Sequence, residues 1–301
     1  MADAFRDDAE GGFVLVLTAP SGGALSDEVI GRAVEYADCT GNPVRRLGAT
    51  AAEIATPCRD ADDWVDWPSL LPGIDVNTVP VRSRRKRLLI ADMDSTIIPV
   101  ECIDELAAMA GVGAEVAAVT EQAMAGALDF EASLAARVAL LADADAGLIE
   151  RVLAERITLN PGARALVATM AAHGGHTMLV SGGFTAFAGP VGAMAGFAEV
   201  RANTLIVEEG RLTGRVGMPI LGRDAKLQAM AAALDARGLT AGDALAVGDG
   251  ANDLAMVCAA GLGVAFRAKP ALGARADARI HHAGLDALLA LQGYGEDEIV
   301  S

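Results

Sequence analysis

Leu88-Leu89-Ile90-Ala91 is an apolar run of four residues that stops at two carboxylates, Asp92 and Asp94, with Ser95 and Thr96 beside them. A run so short and so apolar reads as a strand buried on both faces, as in parallel sheets covered by helices. Such a strand belongs in the middle of an α/β layer structure, and its carboxyl end opens on the crevice where these folds hold ligands. Taken alone, Asp-x-Asp is equally a polar turn with helix-capping residues. The rest of the chain has to decide.

Two further strand ends share the pattern. Thr177-Met178-Leu179-Val180 runs into Ser181-Gly182-Gly183, a hydroxyl and two glycines that let backbone N–H groups approach an anion. Ala244-Leu245-Ala246-Val247 runs into Gly248-Asp249-Gly250-Ala251-Asn252-Asp253. Between them Arg223-Asp224-Ala225-Lys226 opens a helix. A lysine in a first turn is disfavoured by the helix dipole, so Lys226 points to a held anion; an exposed lysine is the plain alternative. Carboxylates with a backbone carbonyl and water make an octahedral oxygen site suited to Mg²⁺. A lysine and a hydroxyl beside it would complete a phosphate cradle. No Walker loop is present. Two aspartates at spacing two allow one to attack and the other to shuttle a proton.

The 301 residues are 52% hydrophobic, enough for one large or two ordinary domains. A net charge of −16 argues against a nucleic-acid partner. The N-terminus is acidic rather than a basic leader, and no apolar run reaches membrane-spanning length, so a soluble cytoplasmic protein without a membrane partner is expected. Cys39, Cys58, Cys102 and Cys258 are scattered and read as reduced thiols. His173, His176, His281 and His282 form no metal-like motif.

Residues 1–82 read as an accessory domain, opening with a strand at Phe13–Thr18 and a helix from Ser26 to about Tyr36, then broken by prolines. Ligand sensing or dimerisation is one reading, a cover that adds buried area the other. The basic run Arg82-Ser-Arg-Arg-Lys-Arg87 is expected to be a solvated linker. From Glu101 to about Thr158 the texture is alanine-rich helix, broken at Gly111 and Gly113 and at Gly126 to Asp129, a helical insertion placed like a lid over the first strand end. Phe130, Ser133 and Arg137 share one helix face, turned either to solvent or into the site. Asn203–Val207 and Arg211–Val216 read as a structural hairpin.

As an ordered set, Asp92-Met-Asp-Ser-Thr, Ser181-Gly-Gly, Lys226 and Gly248-Asp-Gly-Ala-Asn-Asp resemble the four motifs of the haloacid dehalogenase-like phosphatases. Glu101-Cys-Ile-Asp-Glu-Leu, Met124, Asp129-Phe-Glu-Ala-Ser-Leu and Arg137 are similar to the cap motifs of the phosphoserine phosphatase branch. The resemblance spans about residues 85–297. It implies an α/β fold with a Rossmann-like parallel sheet, a phosphatase domain over 83–301 and a small helical cap over about 101–158. Relatives often carry an amino-acid-binding module of the ACT type at the N-terminus; residues 1–82 show only its opening strand and helix, so an ACT-like α/β domain, serine feedback and a homodimer through it stay open.

The activity implied is Mg²⁺-dependent hydrolysis of O-phospho-L-serine to L-serine and phosphate, the last step of serine biosynthesis. Asp92 would form an aspartyl-phosphate, and Asp94 would protonate the leaving oxygen and then activate water. Asp92, Asp249 and the carbonyl of Asp94 would hold the metal, with Asp253 orienting its surroundings. Ser181, the Gly182 N–H, Lys226 and Asn252 would hold the phosphoryl group. Glu101 would meet the ammonium and Arg137 the carboxylate, while Met124 and Phe130 close the pocket. Another small-phosphate phosphatase, a phosphotransferase and a non-catalytic amino-acid sensor are the competing readings.

Overall fold

The computed structural model describes residue 5 and residues 12–57, 66–124, 129–222 and 224–300. Cys58, Gly126 and Arg223 lie outside the described residues, as does the side chain of Met124.

The N-terminal part is β1 (Phe13–Thr18), α1 (Asp27–Tyr36), β2 (Val44–Arg46), β3 (Ala51–Thr56), α2 (Trp67–Leu70) and β4 (Asp75–Pro80), an antiparallel sheet in the order β2-β3-β1-β4. This is the complete β-α-β-β-α-β arrangement of ferredoxin-like folds. Only its first two elements are visible in the residue pattern. Ser26 caps α1 through the Val29 N–H, as expected. Leu15, Leu17 and Ile54 pack under the helices with Ile30, Ala33 and Trp67. Val14, Val16 and Val79 face the other way, into the core of the rest of the molecule. Burial on both faces explains why Val-Leu-Val-Leu shows no polar alternation.

The larger part begins with β5 (Leu88–Ala91). Four helices follow it: α3 (Cys102–Ala110), α4 (Gly113–Met124), α5 (Phe130–Ala139) and α6 (Gly147–Glu155). Then come α7 (Ala163–Ala172), β6 (His176–Phe184), α8 (Thr185–Ala195), β7 (Glu199–Asn203), β8 (Leu205–Glu208), β9 (Arg211–Val216) and α9 (Ala225–Asp235). The last elements are β10 (Ala244–Gly248), α10 (Leu254–Ala259), β11 (Leu262–Phe266), α11 (Pro270–Gly273), β12 (Ala278–Ile280) and α12 (Ala287–Leu291). Six strands form a parallel sheet in the order β12-β11-β10-β5-β6-β7. Leu89, Leu179 and Val247 face one core and Leu88, Met178 and Ala246 the other, so alternate residues of each strand meet helices on opposite sides. Ala91 pairs with both Val247 and Leu179, which sets the three chemistry-bearing strand ends side by side. The hairpin β8–β9 supports the cap: the Asp143 N–H donates to Leu212 O and the Leu212 N–H to Ala144 O, both at 2.9 Å.

The basic run is not a solvated linker. Its side chains alternate, with Arg84 and Lys86 buried and Arg82, Arg85 and Arg87 exposed. Arg84 Nη1 lies 2.7 Å from Oε2 of the fully buried Glu53 on β3. Lys86 Nζ donates to Ser83 O and Gly242 O. Arg85 stacks on Tyr294 and pairs with Glu298. On the same seam the Asp75 carboxylate accepts the N–H groups of His281, His282 and Ala283, and the Asn77 side chain bonds both the N–H and the C=O of Arg279 on β12. The two sheets are therefore fastened by buried, satisfied polar contacts. The residue pattern hides this because Arg84, Arg85 and Lys86 each reach a partner far along the chain.

Candidate active site

β5 delivers Asp92 at its carboxyl end, where the chain makes a wide turn through Met93–Ile97 with Ser95 in the left-handed region at φ 57°. The Met93 N–H donates to Asp92 Oδ1 at 2.7 Å, and Lys226 Nζ lies 2.6 Å from Oδ2. Asn252 Nδ2 reaches the same Oδ2 at 3.3 Å. Burial, then the neighbouring Asp253, pushes the Asp92 carboxyl well above its ordinary range, against the pull of Lys226.

Lys226, in the first turn of α9, is itself buried. Burial alone would lower its pKa, but the carboxylates of Asp92 and Asp253 more than offset this and raise it, so the ammonium stays charged. Its second partner is Asp253 Oδ1 at 2.6 Å. Asp253 Oδ2 accepts the N–H groups of Asp249 and Gly250 at 3.1 and 3.0 Å. The loop can close this tightly because residue 248 is glycine: a Cβ there would sit 2.3 Å from Asp253 Cγ.

Asp94 points across the mouth of the strand. Its Oδ1 accepts the Cys102 N–H at 2.9 Å, at the start of α3, and its Oδ2 the Ser181 hydroxyl at 3.2 Å. Burial first and the Glu101 carboxylate second push it up to about 6, a value suited to holding a proton near neutrality and giving it away. Asp249 is likewise pushed up to about 6, by burial and then by Asp253 and Glu101. Carboxylate oxygens of Asp92, Asp249 and Asp253 lie within 4.8 Å of one another. Asp253 is held by Lys226 and two N–H groups and Asp92 by Lys226, Asn252 and the Met93 N–H, whereas Asp249 has only a long 3.5 Å contact with the Thr96 hydroxyl, so the cluster carries more carboxylate charge than its partners meet. Buried carboxylates that repel each other, with too few positive partners, fit a divalent metal.

From the cap, Glu101, Phe130 and Arg137 line a cavity of ≈ 460 Å³ whose floor is Asp92, Asp94, Ser181, Gly182, Asp249 and Asn252. Arg137 thus faces the cavity rather than bulk solvent, with Nε donating to Ser133 O at 3.4 Å. Phe130 packs on Gly182, where a Cβ would meet the ring at 2.9 Å. Of the core and cap residues picked out in the sequence, Lys226 and Asp253 do not line the cavity but sit behind Asp92, joined to it through the Lys226 ammonium, and the side chain of Met124 lies outside the described residues; the others line it.

Ser95 and Asp104, which stand inside the sequence motifs without an assigned role, and Thr120 and Lys269, which were not singled out, line the cavity as well. Nor was Asn203, whose Nδ2 donates to Gly182 O at 2.9 Å while its Oδ1 accepts the Leu221 N–H, fixing the loop beneath the pocket. A lone asparagine at an edge-strand end carries no pattern that would reveal this.

The family model of haloacid dehalogenase-like hydrolases matches residues 89–257, more than half the chain. The chain belongs to this family. Among its relatives, phosphoserine phosphatase of Streptomyces coelicolor is 44% identical over 229 residues, covering 75% of this chain and 56% of that protein. The chain spans about half to two thirds of the length of the relatives first matched. Two solved family structures are close. The unliganded probable phosphoserine phosphatase from Vibrio cholerae superposes with a TM-score of 0.78 at 30% identity, over 99% of this chain and 92% of that one. A phospho-aspartyl intermediate analogue of phosphoserine phosphatase gives a TM-score of 0.63 at 40% identity, over 68% of this chain and 98% of that one. Among the described residues no helix is long and apolar enough to cross a membrane.

Proposed function

We propose that this haloacid dehalogenase-like hydrolase is a Mg²⁺-dependent phosphoserine phosphatase, with an accessory domain over residues 1–82 and a phosphatase domain over 83–301 capped by about 101–158. The observation that carries the reading is the meeting, in one cavity, of a phosphate-handling floor with a cap that offers carboxylates, Glu101 among them, and the Arg137 guanidinium. A phosphorylated amino acid has an ammonium and a carboxylate to match them.

Asp92 attacks phosphorus in line and becomes an aspartyl-phosphate as the ester bond breaks. Asp94 passes its proton to the departing serine oxygen, then takes one from the water that releases phosphate. Lys226 neutralises the phosphoryl oxygens, helped by Ser181, the Gly182 N–H and Asn252. Asp92, Asp249 and the Asp94 carbonyl would hold Mg²⁺, with Asp253 steadying the loop that carries Asp249; the ion supplies charge stabilisation to the phosphoryl group. Glu101 receives the ammonium, and Arg137 forks onto the carboxylate with two parallel hydrogen bonds. Phe130 closes the pocket against water.

The test is phosphate release from O-phospho-L-serine, O-phospho-L-threonine and p-nitrophenyl phosphate, each with Mg²⁺ and with EDTA. A strong Mg²⁺-dependent preference for phosphoserine is the expected result. Turnover of the nitrophenyl ester alone would keep the core chemistry and remove the cap assignment. Faster transfer to added serine or homoserine than to water would make the protein a phosphotransferase, and inertness toward all three esters would make it a sensor.

A further inference from the structure

Asp104 stands one helical turn beyond Glu101 at the start of α3, and both residues line the ≈ 460 Å³ cavity, as does Arg137. A carboxylate at the third position of a helix ordinarily turns back to bond the N–H of the capping residue. Here it does not, and among the described residues the Asp104 side chain has no hydrogen bond and no ion pair. Glu101 is already engaged, its Oε1 accepting the Ser95 hydroxyl at 2.8 Å. Burial raises the Asp104 carboxyl while the Arg137 guanidinium pulls it back.

An ammonium group has three N–H donors. One carboxylate already tied to a serine leaves them incompletely met; a second, one turn along the same helix, faces the same space. We propose that Asp104 is a further specificity-determining residue of this site, receiving the ammonium end of the phosphorylated amino acid together with Glu101 while Arg137 takes the carboxylate end. The assignment rests on the reading of the site as a phosphoserine site.

Two truncated substrates separate the ends: phosphoethanolamine keeps the ammonium and lacks the carboxylate, and 3-phosphonooxypropanoate keeps the carboxylate and lacks the ammonium. The quantity to measure is the ratio of kcat/KM for the first to kcat/KM for the second, which does not depend on the fraction of folded enzyme. In Asp104→Asn this ratio should fall about tenfold, the scale of one charge-assisted hydrogen bond. Asp104→Glu should recover most of it. A ratio equal to that of the parent would overturn the proposal, and a rise would assign Asp104 to holding Arg137 instead. A parent enzyme that turns over p-nitrophenyl phosphate but not phosphoserine would overturn the underlying reading, a result distinct from any change in the ratio.

Discussion

Replacing Asp249 by asparagine should stabilise the metal-free protein at neutral pH. In the fold the Asp249 carboxyl titrates at about 6 against an ordinary value of 3.8, because burial and the charges of Asp253 and Glu101 disfavour ionisation. A group whose folded pKa is raised contributes its stability in full below about pH 4 and loses it as pH climbs through 6. Above pH 7 the folded state carries the whole cost of the charge. Two pKa units correspond to about 3 kcal/mol, and because the group keeps some contact with solvent, screening brings the expectation to about 1–3 kcal/mol. Asparagine has nearly the same shape and never ionises. In EDTA at pH 7.5 the variant should therefore melt roughly 3–8 °C above the parent, and the gap should close as pH is lowered to 4. Saturating Mg²⁺ should reverse the order, since the parent gains about 2.7 kcal/mol at a hundredfold excess over Kd and the variant has lost a ligand. Calorimetry of both proteins at three pH values, with and without Mg²⁺, is sufficient. Equal or lower melting of the variant at pH 7.5 in EDTA would show that Asp249 is not a strained carboxylate awaiting a cation.

Asp92→Asn should abolish phosphoserine turnover while leaving far-ultraviolet circular dichroism as in the parent; appreciable residual activity in a purified sample would remove Asp92 as nucleophile. Arg137→Ala should lower kcat/KM for phosphoserine about a hundredfold, the scale of a bidentate charged contact, and cost p-nitrophenyl phosphate much less; matched losses on both esters would falsify its role in recognition. Glu53→Ala leaves Arg84 buried without its counter-ion, so stability should fall by about 3–5 kcal/mol in denaturant titration, whereas a loss under 1 kcal/mol would show the pair to be incidental.

The catalytic floor was legible because its strands are short apolar runs that stop abruptly at charged or glycine-bearing ends, and a central parallel strand has no other way to look. The cap was legible as alanine-rich helix, although the direction in which Arg137 points is a tertiary fact. Less could be read at the edges. β3 is Ala-Ala-Glu-Ile-Ala-Thr, with a glutamate at the centre of a buried strand, and the charge is met by Arg45 on β2 and by Arg84 from 31 residues away, neither of which the pattern of β3 itself reveals. β12 is three residues long, pairs with β11 on one side and is held on the other by Asn77, with Asp75 taking the N–H groups just beyond it. Asn203 acts by position alone, outside any motif, whereas Asp104 stands inside the Glu101-Cys-Ile-Asp-Glu-Leu stretch and only the fold shows that it lines the cavity.

The fastening of the two sheets changes how the molecule would meet a protease. Arg82 to Arg87 holds five of the chain's 24 basic residues within six positions, and on paper it is the obvious place for trypsin to separate the halves. A protease needs several consecutive residues drawn out and extended in its cleft. Here that would require Arg84 to leave Glu53, Lys86 to leave the carbonyls of Ser83 and Gly242, and the entry into β5 to open. Cleavage at this segment would therefore report the parting of the two sheets rather than the flexibility of a linker, and its rate should follow the stability of their seam.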